Sequence, residues 1–301
     1  VLAGGHWLLR PSVAAVPDPE VPAAARVPPA GVGLAIVKTS AVHVRQGLVF
    51  SGGALGEIVE NDFSAFLIKH GESYLLFDTG LGREVDAQYA ADMPRWQRLT
   101  FRYEPPVVPA RDQLERAGRF PIARIFLSHS HWDHASGLID FPEAEVWVPA
   151  AERAWAQAAR GGGGGAWPSQ VGAPTLRWHT YDFPGGPYRG FPRSFDVFGD
   201  GTVVLVPLFG HTPGSVGLFV TVDSGRRLLL CGDAVWSAAA IPDARPRLAL
   251  ARALADDDAD RAEDVVRALR DAQRQDPALV IVPAHDGTVQ RALGYFPGWV
   301  R

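Results

Sequence analysis

His129-Ser130-His131-Trp132-Asp133-His134 places three imidazoles and a carboxylate within six consecutive residues. The hexapeptide directly follows residues 122–127, an apolar run of strand length. In an extended segment, residues two apart point the same way, so His129 and His131 can grip one ion together. If the chain then turns into a helix, Asp133 and His134 are redirected toward a second ion nearby. Nitrogen and carboxylate donors of this kind suit zinc, iron, cobalt or manganese.

Working outward, three more metal-type residues follow segments that read as buried strands. His211 comes after residues 203–208, Asp233 after 226–230 and His285 after 279–282. Sheets of α/β proteins gather ligands at strand ends. A lone His or Asp at such a place is usually a cap or turn residue; four strand ends carrying them together point to a site. The remaining pattern alternates strand and helix. Residues 34–39 and 63–69 read as strands, the second joined to a strand at 74–77 through His70-Gly71-Glu72-Ser73. A short helix over 112–117 is closed by Gly118, and a strand at 146–148 precedes a helix over 150–160 that Gly161–Gly165 stop. Residues 161–192, rich in Gly, Pro and aromatics, read as a long ordered loop. Strands 216–222 and 226–230 form a hairpin around Asp223-Ser224-Gly225. The helix over 260–275 gathers Val265, Val266 and Leu269 on one face. Interleaved strands and helices predict an α/β layered fold. The expected organisation is an extended Pro/Ala-rich arm over residues 1–30 and one catalytic domain over 31–301.

Composition narrows the function classes. With 47% hydrophobic and 21% charged residues, the chain has an ordinary globular mix, which excludes wholesale disorder. The single cysteine, Cys231, excludes an internal disulfide framework and a CxxC zinc knuckle. Net charge is −4 with basic residues scattered, so no stripe for nucleic acid is expected. No apolar run reaches the ~18 residues a membrane span needs. The Pro/Ala segment is compatible with a tether below a removed signal or anchor, an arm on a partner subunit in a homodimer, or a disordered leader. Bacterial cytoplasm and periplasm are both open.

The motif set His129-x-His131-x-Asp133-His134, then His211, Asp233 and His285 in that order, resembles the metallo-β-lactamase superfamily. Phe77-Asp78-Thr79-Gly80, His211-Thr212-Pro213-Gly214 and Gly232-Asp233 add to the resemblance, which spans roughly residues 63–285. It implies a four-layer αβ/βα sandwich with two divalent metal ions, zinc or else iron, cobalt or manganese, at one edge of the sheets. Carried over residue by residue, His129, His131 and His211 would hold one ion. Asp133, His134 and His285 would hold the other, with Asp233 bridging and Asp78 supporting. The mechanism implied is hydrolysis by a hydroxide shared between the ions, with Asp133 shuttling a proton to the leaving group.

Within the superfamily the chain looks most like N-acyl-homoserine lactonases, the quorum-quenching branch, with methyl parathion hydrolase as the organophosphate and aryl-ester alternative. True β-lactamases place Cys or Ser where this chain has Asp233. Glyoxalase II adds a helical domain after the metal core, and here 16 residues follow His285. RNase Z-like enzymes carry an RNA-gripping arm and basic surface. One departure from the lactonases is Trp236, three residues after Asp233, where they carry a Tyr. An indole offers one N–H donor and a large apolar face, so Trp236 and Trp132 are candidate walls of the substrate pocket. The expected partner is a small ester or lactone. A non-catalytic metal module of the same fold is the reading outside enzymology. A flavin-coupled iron site is similar to a form with Glu at the position of His131, which this chain lacks.

Other conspicuous features carry bland expectations. The glycine run lacks the Gly-Lys-Ser/Thr ending of a phosphate loop. Asp256-Asp257-Asp258 reads as a solvated helix start. His43, His70 and His179 read as surface or packing residues, and Cys231 as a buried thiol.

Overall fold

The computed structural model describes residues 31–118, 120–162 and 164–300. The expected arm over 1–30 lies outside the described residues. Two sheets carry the domain. The first has the order β1-β2-β3-β4-β5-β6, formed by Val32–Arg45, Ile58–His70, Ser73–Phe77, Ile122–Phe126, Glu145–Pro149 and Arg177–Tyr181. Its first three strands are an antiparallel meander, and β3 to β6 run parallel. The second has the order β11-β10-β9-β8-β7, with β7 Phe195–Asp196, β8 Val203–Pro207, β9 Val216–Thr221, β10 Arg227–Leu230 and β11 Val280–Val282. Only β10 and β11 pair in parallel there.

The period-2 alternation of the strands sorts their side chains into layers. Leu34 and Ile36 of β1, Phe66 and Ile68 of β2, Leu205 of β8, Leu218 of β9 and Leu230 of β10 meet between the sheets. Their neighbours face outward onto helices. Ala35, Val37, Leu67 and Ile125 pack under the helical layer that includes Leu114 and Ala156. Val204, Phe219, Leu229 and Ile281 pack under Val266, Leu269 and Ala272. Both faces of both sheets are therefore covered, and the expected αβ/βα sandwich is what forms. Fully burying one such Leu or Phe contributes about 1.5–3 kcal/mol, so the inter-sheet layer and the two helix-covered faces are each large contributors to the fold's stability.

The helices are α1 Gln46–Val49, α2 Val85–Asp92, α3 Ala110–Ala117, α4 Trp132–Ala135, α5 Ala150–Gln157, α6 Pro168–Val171, α7 Ala249–Ala255, α8 Ala259–Gln275 and α9 Gly287–Leu293. None among the described residues is long and apolar enough to cross a membrane. Three sequence expectations need correction. The loop expected over 161–192 contains α6 and the edge strand β6. Strand β1 runs on to Arg45, still paired with β2 as far as Ile58. The Asp triplet is not wholly solvated: Asp258 caps α8 by accepting from Arg261 N, but Asp256 turns inward with 1% of its side chain exposed. His43, His70 and His179 do pair on the surface, with Glu104, Asp200 and Glu145.

Candidate metal centre

Five strand ends converge on one edge. Phe77 of β3 and Phe126 of β4 are register partners, so Asp78 and the 129–134 hexapeptide start side by side. Leu230 pairs with Val282, which brings the turn carrying Asp233 beside the one carrying His285. Strand β8 delivers His211. After His131 the chain turns into α4, as the hexapeptide reading requires, and this redirects Asp133 and His134.

The seven expected ligands are brought together. Ligand atoms of His129, His131 and His211 lie within 4.8 Å of one another, as do those of Asp133, His134 and His285. His211 Nε2 and His131 Nδ1 approach to 3.0 Å. His285 Nε2 is 3.2 Å from Asp133 Oδ2. Between the groups stands Asp233. Its Oδ1 lies 3.3 Å from His134 Nε2 and 3.1 Å from His285 Nε2, while its Oδ2 lies 3.6 Å from His211 Nε2. One carboxylate thus faces both clusters with separate oxygens.

Two observations test whether a metal fits. First, His129 Nε2, His134 Nε2 and Asp233 Oδ1 are buried without a hydrogen bond, an arrangement that costs about 1–3 kcal/mol per atom if nothing else binds them. Second, the opposite nitrogens are engaged. His134 Nδ1 donates to Asp78 Oδ2 at 2.9 Å, His211 Nδ1 to Asp256 Oδ1 at 2.8 Å and His285 Nδ1 to the Asp62 carbonyl at 2.7 Å. Ser128 Oγ lies 2.9 Å from His129 Nδ1. Metal-binding imidazoles are oriented in this way, with the remote nitrogen held and the near one free. The cluster is a potential binuclear metal site.

Electrostatics divides the two halves. Burial, followed by the neighbouring imidazoles, holds His129 and His131 well below the usual histidine range, so they are neutral lone-pair donors. Burial opposes charge on His285 too, but Asp233 and Asp133 override it and push its pKa up to about 10. His134 is likewise raised, against burial, chiefly by Asp78. This half carries carboxylate charge that needs a cation. In protein stripped of metal by a chelator, the proton on His285 serves as that cation. Because its folded pKa is raised, its contribution is full below about pH 6.5 and is lost as the pH rises through about 10. Urea midpoints of the stripped protein should therefore fall across that window, and those of metal-loaded protein should not. Parallel profiles would refute this account.

Glu152, which sequence reasoning did not single out, holds these loops together with Asp78, which it did. Glu152, fully buried at the start of α5, accepts from Ser130 N at 2.6 Å, Thr212 Oγ1 at 2.6 Å and Gly214 N at 3.1 Å. A Cβ on Gly214 would come 2.4 Å from Glu152 Cβ, so glycine is required there. Asp78, at φ 59°, also accepts from Ser128 N at 2.7 Å.

A cleft of about 280 Å³ opens over the cluster, with His131, Asp133, His211, Asp233 and His285 among its lining residues. Its walls are mainly apolar, including Phe63, Phe101, Leu248 and Leu254. Trp132 contributes to a wall but is 3% exposed, stacked on Trp167 with ring centres 4.9 Å apart. Trp236 also lines the cleft, and its Nε1–H donates to Asp233 Oδ2 at 2.8 Å. Its single donor is therefore engaged by the chain itself. Cys231 is buried as expected, and burial pushes its thiol pKa up.

Residues 64–285 match the family model of the Metallo-beta-lactamase superfamily. The chain belongs to that superfamily. A probable metallo-hydrolase from Mycobacterium tuberculosis is 33% identical to it over 258 residues, covering 73% of each protein. The N-acyl homoserine lactonase AttM of Rhizobium radiobacter is 30% identical over 180 residues, covering 57% of this chain and 64% of AttM. Among solved structures, an N-acyl homoserine lactone hydrolase with the product N-hexanoyl-L-homoserine at its catalytic metal centre superposes with a TM-score of 0.69. It is 20% identical and covers 89% of this chain and 98% of that one. At that identity the likeness supports the superfamily fold alone.

Proposed function

We propose that this chain is a binuclear metal-dependent hydrolase that opens a lactone or cleaves an ester bearing an apolar substituent. The observation that carries the reading is Asp233, whose two oxygens face separate His clusters at the floor of an apolar cleft. In this reading His129, His131 and His211 hold one ion, Asp133, His134 and His285 the other, and Asp233 joins them. Two such ions activate a water molecule as nucleophile and polarise the substrate's acceptor oxygen. The chain's own groups do the rest. Asp78, Asp256 and the Asp62 carbonyl fix three imidazoles so that their free nitrogens point inward. Asp133, 12% exposed and at the cleft floor, is placed to pass a proton to the leaving group. The apolar walls take the acyl or aryl part and exclude water.

N-acyl-homoserine lactones, and with them quorum quenching, are the first substrates of choice, because the AttM proteins among the relatives are named as lactonases of that class. The engaged indole of Trp236 favours a second reading. With that donor spent on Asp233, and aromatic walls at Phe63, Phe101 and Trp132, the cleft also suits flat aryl esters or organophosphates. Metal-loaded protein should be assayed side by side on an acyl-homoserine lactone series and on p-nitrophenyl carboxyl and phosphate esters. Lactone opening that improves with acyl length supports the first reading. Release of p-nitrophenol from phosphotriesters with idle lactones supports the second. No turnover on either panel, with two ions bound, rejects both substrate classes.

A further inference from the structure

Between β10 and α8, residues 247–256 form a strap that supplies part of the cleft wall. Leu248, Ala251, Leu254 and Ala255, in and around α7, line the cavity, and Leu254 is 52% exposed at its rim. The strap is closed by an ion pair between its ends. Arg247 Nη1 donates to Asp256 Oδ1 at 2.8 Å, with 4% and 1% of the two side chains exposed.

Each partner also touches a neighbour of the metal cluster. Asp256 Oδ1 accepts from His211 Nδ1 at 2.8 Å. The Arg247 guanidinium lies 4.5 Å from the ring centre of Trp236, whose N–H is bonded to Asp233. A single pair thus reaches His211 through one arm and Asp233 through the other. Desolvating two charges makes a buried ion pair a poor source of stability, and well-packed apolar residues would often serve as well. Arg247 is less satisfied still: its Nε and Nη2 are buried without a hydrogen bond. Fixing position is what such a pair does better than apolar packing.

We propose that Arg247 and Asp256 form a buckle that couples the substrate wall to the metal centre. The buckle holds the strap down as the surface that reads the apolar part of the substrate. It also sets the orientation of His211 and Asp233. Arg247 and Asp256 are positioning residues, and Leu248 and Leu254 determine specificity. The inference rests on His211 and Asp233 being ligands, as proposed above.

The test compares the wild type with Arg247→Met, Arg247→Lys, Asp256→Asn and Leu254→Ala. Zinc affinity is measured by competition with a chromophoric chelator, and kcat and KM on p-nitrophenyl esters from acetyl to decanoyl. Arg247→Met and Asp256→Asn should each lose roughly tenfold or more in zinc affinity, because both break the charged pair that fixes the group supporting His211, and changes to such supporting groups cost about 10–100-fold. They should also flatten the dependence of KM on acyl length. Arg247→Lys should recover part of both. Leu254→Ala should raise KM for decanoyl but not acetyl esters while keeping both ions. Asp256→Asn preserves volume and an acceptor for His211, so it carries the test if Arg247→Met does not fold. Zinc affinity and chain-length profiles within about twofold of wild type in both variants would overturn the buckle and leave the hydrolase reading standing. A wild type that binds no metal would overturn both.

Discussion

Asp233→Ala should lower kcat/KM on the best ester or lactone substrate by at least roughly a thousandfold, about 4 kcal/mol of transition-state stabilisation. Its carboxylate faces both His clusters, with Oδ1 toward His134 and His285 and Oδ2 toward His211. Removing it should also reduce the metal count from two ions per chain to one or none, because the His134 and His285 side loses the carboxylate oxygen that lies 3.3 Å and 3.1 Å from their Nε2 atoms. Asp233→Asn separates charge from shape. The amide oxygen can still accept from Trp236 Nε1, so the turn keeps its geometry while the bridging charge is gone. We expect the Asn variant to fold and melt near wild type yet show most of the kinetic loss. Metal content is read by elemental analysis after gel filtration, alongside the kinetics. An Ala variant that retains two ions and a tenth of wild-type activity would remove Asp233 from the centre of the mechanism.

How much of this was legible in the sequence depends on what each residue leaves in its neighbourhood. The hexapeptide is legible because its ligands are adjacent in the chain and follow an apolar strand. His211, Asp233 and His285 are legible because each ends a strand, and the α/β sandwich because its strands are apolar on both faces. Asp256 was misread. In a run of three aspartates nothing local says which one turns inward, and the burial of its side chain is imposed by His211 and Arg247 from elsewhere in the chain. Strand β6 was hidden because Arg177, His179 and Thr180 are exposed on an edge, which erases the apolar signal. Trp236 was read as a candidate pocket wall with one N–H donor, and nothing in the sequence says where that donor goes. Only the fold reveals that Asp233 takes it.

Glu152 left no signal at all, and its loss should have the largest effect on stability. It joins the two loops that carry His129, His131 and His211. One oxygen accepts from Ser130 N in the hexapeptide, and the other from Thr212 Oγ1 and Gly214 N beyond His211. Glu152→Ala strands both backbone donors in a buried site, at about 1–3 kcal/mol each, and adds a cavity. We expect a loss of about 3–5 kcal/mol in total, near the cost of breaking a buried charged network. Glu152→Gln keeps the volume and one acceptor oxygen but puts an amide N–H group against a donor, so it should cost roughly half as much. Equilibrium urea unfolding reads both, and unchanged slopes would show that the folded state itself has lost stability. Zinc affinity should fall in the same order, Ala below Gln below wild type, although Glu152 is not among the clustered ligand side chains. The physical reason is that His129, His131 and His211 converge only while the two loops are held in register. An Ala variant within about 1 kcal/mol of wild type would mean that the loops are set by their strands alone, with Glu152 merely filling space.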